Sequence, residues 1–361
     1  MGLKPVPESA YVGDGPVGGD AERVMSDNIS RITLNRANSE VPTWRRRFMS
    51  LRGLLVITFL MALSTRASMR AEAREQHLSP GEHHATINGI NFWYKVAGQG
   101  PVLVVQAPGW GPGSLYLQNG LAPLEAHYRV VFYDPRGSGN SSRPGDAARM
   151  STADMVNDLD QLRQYLGLDR LNLIGHSHGG AIVLDYGVRY SARVRKLVLV
   201  DTDISGYDDG GAVRKEIDIR RNDKRFSEAI AEVNRNTMPK TDEEFGAILA
   251  RELPLFFYDP VGNVPVFQKT SPKAPSAWVY RTLDAADQRN PINVSNELGR
   301  VRARTLILVG REDWICPVSD AEKIHADIHD SQLVVFEKCG HFPWIESPHE
   351  FFSTIVSFIG Q

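Results

Sequence analysis

The run LNLIGHSHGGAIVLDYG, residues 171–187, constrains the fold more than any other stretch of the chain. Its first half is a short apolar block of the kind that forms a strand covered on both faces, and its second half reads as a helix. Between the two stand Gly175, His176, Ser177, His178, Gly179 and Gly180, so the backbone has to turn sharply within a few residues. Small residues are what let a strand and a helix approach so closely at such a turn. A strand, a sharp turn and a helix in that order leave one hydroxyl, that of Ser177, standing above the end of the strand.

The flanking sequence repeats the alternation. PVLVVQA (101–107), RVVFYD (129–134), KLVLVD (196–201), RTLILVG (304–310) and SQLVVFEK (331–338) read as strands separated by helical stretches. Ser151-Thr152-Ala153-Asp154 has the form of a capping box, and Met155, Leu159, Leu162 and Leu166 follow it at helical spacing. Asn88-Gly89, between two β-rich runs, signals a two-residue hairpin near the start of the regular pattern. Apolar strands interleaved with helices predict an α/β fold: an eight-stranded, mostly parallel sheet with helices on both faces, built from residues 81–203 and 297–361. Residues 204–296 break the alternation with charged helical pieces and read as a helical cap inserted before the seventh strand.

Several classes drop out. The chain has 361 residues, 42% of them hydrophobic, which is enough for a large core. Its net charge is -2 with no Lys/Arg block in the body, so a nucleic-acid partner is not expected. Residues 1–80 lack periodicity and are set aside as a disordered or targeting tail. Within that tail LLVITFLMAL (54–63) follows Arg45, Arg46, Arg47 and Arg52. The run is too short to cross a hydrocarbon core of ~30 Å, but from Met49 onward it has the layout of a secretory signal. The residues upstream of Met49 admit a signal anchor, a transit segment, an unused upstream start or a plain apolar patch, so secreted, membrane-anchored and cytoplasmic locations all stay open. Membrane contact is expected through this segment alone, and the oligomeric state is not legible. Cys316 and Cys339 are the only cysteines, either a bracing disulfide or two buried thiols. No cluster has metal-ligand spacing and no G-x-G-x-x-G opens a helix after a strand, so neither a metal nor a cofactor is expected.

A neutral serine is a weak nucleophile and needs a base that is itself oriented by a third group. Glu312 and Asp313 follow the strand 304–310, and His341 follows the strand 331–338. Together with DPRGSGNSSRP (134–144) and APGWGPG (107–113), these motifs resemble the α/β-hydrolase fold over residues 84–360. The resemblance implies Ser177 as nucleophile, His341 as base and Asp313 as its partner. It also implies the backbone N–H groups of Trp110 and His178 as oxyanion donors, with Gly111 as the alternative to Trp110 because Pro108 stands where the family has histidine. The rivals are His176 and the His178 ring as base, and Glu312, Asp201 or Asp203 as acid. His325, His329 and His349 read as solvated, and Arg136 as a structural partner.

A serine at the turn, rather than a carboxylate, argues against epoxide hydrolases and haloalkane dehalogenases. GREDWICP, DPRGSG, HFPWIESP and the helical insertion resemble the proline-iminopeptidase branch, in which acidic side chains of the cap hold a free amino terminus. That implies Glu243, Glu244 or Glu252 for such a role. The elbow GHSHGG departs from the branch's GGSWGG-like form, and the H-G-G-P-G string is missing. The expectation is a serine hydrolase that cleaves an ester, lactone or amide bond of a small molecule, with Trp110, Phe256, Phe257, Trp278 and Tyr280 as candidate pocket walls. The alternatives are an iminopeptidase-type aminopeptidase, a C–C bond hydrolase of diketones and a non-catalytic binding homologue.

Overall fold

The computed structural model describes residues 56, 59, 61, 64, 65, 68, 69 and 71–361 apart from Pro272. Residues 1–55 of the expected tail 1–80 and most of the apolar segment 54–63 lie outside the described residues; Val56, Phe59 and Met61 are helical and exposed. Among the described residues no helix is long and apolar enough to cross a membrane.

Among the described residues, eight strands form one sheet. They are β1 (Gly81–Ile87), β2 (Ile90–Ala97), β3 (Val102–Gln106), β4 (Arg129–Tyr133), β5 (Leu171–His176), β6 (Val194–Val200), β7 (Arg304–Gly310) and β8 (Ser331–Phe336). Their order is β1-β2-β4-β3-β5-β6-β7-β8. The hairpin β1–β2 and the pair β2–β4 are antiparallel and all other pairs are parallel. Asn88 (φ 52°) and Gly89 (φ 77°) both take the positive φ that a tight hairpin of right-twisted strands demands.

Apolar residues alternate between the two faces of the sheet, as the period of a strand requires. Leu103, Val105, Val198, Val200, Leu306 and Leu308 pack with Leu117, Phe351 and Phe358 on one face. Val104, Leu197, Leu199, Ile307 and Val309 pack with Leu159, Ile182 and Ile324 on the other. Both faces are therefore covered, which is why these strands read as unbroken apolar blocks. The helix Thr152–Tyr165 begins as expected: the Ser151 hydroxyl accepts from Asp154 N–H, and the Asp154 carboxylate accepts from Ser151 N–H at 3.3 Å.

The packed body begins before residue 81, the boundary drawn from the sequence. Residues 71–77 are helical and Leu78 is buried. His77 stacks on Tyr165 at 4.0 Å and donates from Nδ1 to the Tyr165 carbonyl at 2.8 Å. Residues 71–77, AEAREQH, carry no apolar period, so this anchoring was not visible in the sequence. Between β6 and β7 the chain forms the helices Ala212–Ile219, Ser227–Arg235, Asp242–Glu252, Pro260–Thr270 and Ala277–Arg289. The topology thus brings Ser177, Asp201, Asp313 and His341 to the carboxyl ends of the neighbouring strands β5, β6, β7 and β8.

Candidate active site

Ser177 joins β5 to the helix His178–Arg189 with φ 56° and ψ −132°, a conformation that L-residues rarely adopt. The glycines around it leave no alternative. A Cβ on Gly175 would strike the Gly179 carbonyl, one on Gly179 the Gln106 carbonyl, and one on Gly180 the Thr202 side chain. Ser177 is therefore held in a strained turn by close backbone packing on two sides.

The loop after β8 carries His341, whose Nδ1–H donates to Asp313 Oδ2 at 2.7 Å. Asp313 is fully buried, and its other oxygen accepts from the Ile315 and Cys316 N–H groups at 3.0 and 3.2 Å. This fixes the carboxylate and, through it, the ring that faces it. The His341 N–H donates to the Phe256 carbonyl at 2.8 Å. Glu346 steadies the same loop, accepting from Gly340 N–H at 2.7 Å and from Asp259 N–H at 3.0 Å. No hydrogen bond joins the Ser177 hydroxyl to His341 among the described residues.

The rival acids have other work. Asp201 is fully buried, and burial, then the charge of Asp313, pushes its carboxyl well above the usual range. One of its oxygens accepts from Gly310 N–H at 2.8 Å. Glu312 ties the two loops together by accepting from Cys339 N–H at 2.8 Å. Asp203 is half-buried and Asp203 Oδ1 has no partner.

The two histidines beside Ser177 turn away from it. His176 is buried, its Nδ1 accepts from the Tyr116 hydroxyl at 2.8 Å, and its Nε2 donates to the His341 carbonyl at 2.9 Å. Burial, then the nearby His341, holds its pKa well below the usual value, so it is a neutral spacer against which His341 packs at 4.5 Å. The His178 ring lies between Gly109 N–H and the Thr152 hydroxyl, each at 3.0 Å. His325, His329 and His349 are exposed. Arg136 is buried and grips Asp158 with two nitrogens, each at 2.6 Å.

The candidate pocket residues separate into groups. Trp110 packs on Phe245 at 5.8 Å, and Phe245 on Tyr280 at 4.8 Å. Phe256 meets His341 edge-on at 5.4 Å. Phe257 is buried against Phe342 in the core, and Trp278 lies under the Arg143 guanidinium at 4.5 Å. Glu243 and Glu244 stand at the exposed start of the helix Asp242–Glu252, where Glu244 accepts from Lys240 N–H at 2.7 Å, a capping role rather than a pocket one. Glu252, at the other end of that helix, is half-buried near Tyr280, and burial, then the charge of Glu232, raises its carboxyl to about 7. Phe245, Tyr116, Thr152 and Asp287 had no signal in the sequence that set them apart from core or solvated residues. Two surface clefts, one beside Arg189 and Arg300 and one between Leu124 and Phe352, include neither Ser177 nor His341.

Asp313, Cys316 and His341 bring ligand-type atoms within 4.8 Å of one another. The Asp313 and His341 atoms of that group already bond each other, and burial, then Asp313, keeps Cys316 a thiol, so the set is a poor cation cage. Cys316 and Cys339 are both buried and unbonded.

Residues 101–348 match the family described as the alpha/beta hydrolase fold. A proline iminopeptidase of Saccharolobus solfataricus is 29% identical over 78% of this chain and 92% of its own length. A 2-hydroxy-6-oxo-2,4-heptadienoate hydrolase of Pseudomonas putida is 28% identical over 74% of this chain and 91% of its own. The solved proline iminopeptidase of Mycobacterium smegmatis superposes with a TM-score of 0.58 at 20% identity, covering 78% of this chain and 98% of that one. The chain belongs to the α/β-hydrolase superfamily and is a hydrolase of that fold.

Proposed function

We propose that this protein is a serine hydrolase that cleaves an ester, lactone or amide bond of a small molecule through an acyl-enzyme on Ser177. The observation that carries the reading is the buried Asp313–His341 pair, 2.7 Å apart, at strand ends beside the strained Ser177 turn. Asp313 fixes the tautomer with the proton on Nδ1, which leaves His341 Nε2 free to take the Ser177 proton as the hydroxyl attacks a carbonyl. The protonated ring then gives that proton to the leaving group, and the acyl-enzyme forms. Water activated by the same ring releases the acid and regenerates Ser177. Negative charge on the carbonyl oxygen is met by the His178 N–H, at the first turn of its helix where no intrahelical acceptor exists, and by the Trp110 N–H. The helix Asp242–Glu252 and its neighbours act as the cap, with Trp110, Tyr280 and Phe256 as pocket walls.

A second reading, an aminopeptidase of the iminopeptidase type, is favoured by one observation. Glu252 is a half-buried carboxyl beside Tyr280, in a chain of contacts that leads through Phe245 to Trp110. An amine-bearing substrate would add a cation to the Arg251 charge, which does not offset the burial of this carboxyl. The test is fluorophosphonate labelling of the full chain and of Ser177→Ala, with hydrolysis of p-nitrophenyl acetate and proline p-nitroanilide measured on both. Labelling and ester turnover are expected in the wild type and lost in Ser177→Ala. Fast proline release would promote the aminopeptidase reading, turnover of a vinylogous diketone alone the C–C hydrolase, and absence of labelling in both chains a binding protein.

A further inference from the structure

Trp110 stands between two residues that are each held by the helix Ala277–Arg289. On one side, the Gly111 carbonyl accepts from the N–H of Ser276, the residue that caps this helix, at 3.0 Å. Gly111 has φ 116°, and a Cβ there would press on the Ser276 carbonyl at 2.8 Å, so the contact leaves no slack. On the other side, Gly109 N–H donates to His178 Nδ1 at 3.0 Å, and His178 Nε2 lies 3.0 Å from the Thr152 hydroxyl. Thr152 in turn gives its hydroxyl proton to Asp287 Oδ2 at 2.6 Å and its N–H to Asp287 Oδ1 at 2.8 Å. Asp287 belongs to the helix Ala277–Arg289.

The direction of every bond in this chain is fixed by chemistry. A backbone amide only donates, so His178 Nδ1 carries a lone pair and the ring proton sits on Nε2. The Thr152 oxygen then accepts from that proton and passes its own to a carboxylate, which only accepts. Asp287 sets the polarity of the whole chain and, at its end, the place of Gly109. Thr152 N–H is also an orphan donor of the helix Thr152–Tyr165, so Asp287 satisfies two needs at once.

We infer that the helix Ala277–Arg289 positions the oxyanion loop, with Asp287, Thr152 and the His178 ring as positioning residues for the Trp110 N–H. The inference rests on the reading of Ser177 as nucleophile and Trp110 as donor. Its consequence is that whatever moves the inserted helices moves the donor, so docking of these helices and assembly of the oxyanion site are one event. Loss of the chain would be felt in the chemical step more than in binding, because the donor is worth most when charge develops on the substrate oxygen.

The experiment uses the full chain and p-nitrophenyl acetate. Thr152→Val keeps the side-chain shape and deletes the hydroxyl. Asp287→Asn keeps the shape and places an N–H against a donor of Thr152 in either orientation of the amide. Each is expected to lower kcat about 10- to 100-fold with KM within roughly twofold, and Thr152→Ser is expected to restore most of it. In the wild type, 15N NMR of the His178 ring is expected to show the proton on Nε2, with that preference lost in Asp287→Asn. Unchanged kcat in folded variants, or a wild-type ring protonated on Nδ1, would overturn the inference. Ser177→Ala, assayed alongside, keeps the two claims apart. If it is inactive while Thr152→Val is unimpaired, only the positioning role falls; if it retains turnover, the nucleophile reading falls and takes this one with it.

Discussion

His176 and His178 sit one residue on either side of Ser177, yet their rings are wired to different parts of the molecule. The His176 ring bonds Tyr116, in the helix Leu115–Gly120, and the carbonyl of His341. The His178 ring bonds Gly109 and Thr152, and through Thr152 reaches Asp287 in the inserted helices. The proposed base is thus held mainly through the sheet body, tied to the insertion by the His341 N–H on the Phe256 carbonyl and by Glu346 on Asp259 N–H, while the proposed oxyanion donor is set from the insertion. Proton transfer needs an orientation that does not change from substrate to substrate. A donor for developing charge has to meet an oxygen whose place depends on how the substrate fills the cap, so it gains from being coupled to that cap.

The largest expected effect breaks the sheet side. Asp313→Asn should keep the fold, because an amide oxygen can still accept from Ile315 and Cys316 N–H, but it removes the acceptor that selects the His341 tautomer. A kcat loss of about 10⁴ is expected on p-nitrophenyl acetate, with the thermal midpoint near that of the wild type. The activity left over comes from the oxyanion side, so it should still respond to Thr152→Val. A residual rate that ignores Thr152→Val would mean that the two sides are not separate devices.

A smaller effect sharpens the same division. Tyr116→Phe deletes the hydroxyl that bonds His176 Nδ1 and should cost about 1 kcal/mol of stability and less than about tenfold in kcat. Because the His176 and His178 rings share no hydrogen-bond partner, the kcat effects of Tyr116→Phe and Thr152→Val should add within about 0.5 kcal/mol. A coupling energy above about 1 kcal/mol in the double-mutant cycle would merge the two networks into one.

The legible and illegible parts of this molecule differ by range. The strands, the hairpin at Asn88-Gly89 and the turn at Ser177 follow from local constraints, such as apolar blocks and glycines that close packing forces. Asp313 and His341 could be paired from a distance because parallel topology sends consecutive strand ends to one rim. Nothing comparable announces Thr152 and Asp287, which lie 135 residues apart and meet only because one inserted helix lands on another helix's first turn. Thr152 read merely as part of a capping box, and Asp287 as one charge on a solvated face. The acidic candidates show the same limit: three glutamates fall within one helix, but at its first turn Glu243 is exposed and Glu244 is drawn into capping, while its last turn leaves Glu252 half-buried. Aromatic residues are equally mute, since Phe257 and Phe256 are neighbours in sequence and one is core while the other faces His341.

The smallest expected effect concerns Glu252, where the insertion has a stake of its own. Burial raises its carboxyl from the usual 4.5 to about 7, so between those values the folded chain holds a proton that the unfolded chain has released. Stability is then highest below pH ~4.5 and falls as pH rises toward 7, because folding has to accept either a costly charge or a costly proton. Glu252→Gln removes this penalty. The gap in thermal midpoint between variant and wild type should open by about 2 °C from pH 4.5 to 7.5 and stay constant above that, the side chain's partial exposure keeping it small. A gap that does not change with pH would mean that Glu252 is solvated, and would remove the support it gives to amine recognition. If instead the gap opens, a substrate amine that pairs with Glu252 should favour its ionised form, so Glu252→Gln should slow proline p-nitroanilide and spare p-nitrophenyl acetate. Loss on both substrates alike would place Glu252 with Asp287, as a support of the inserted helices and so of the oxyanion loop.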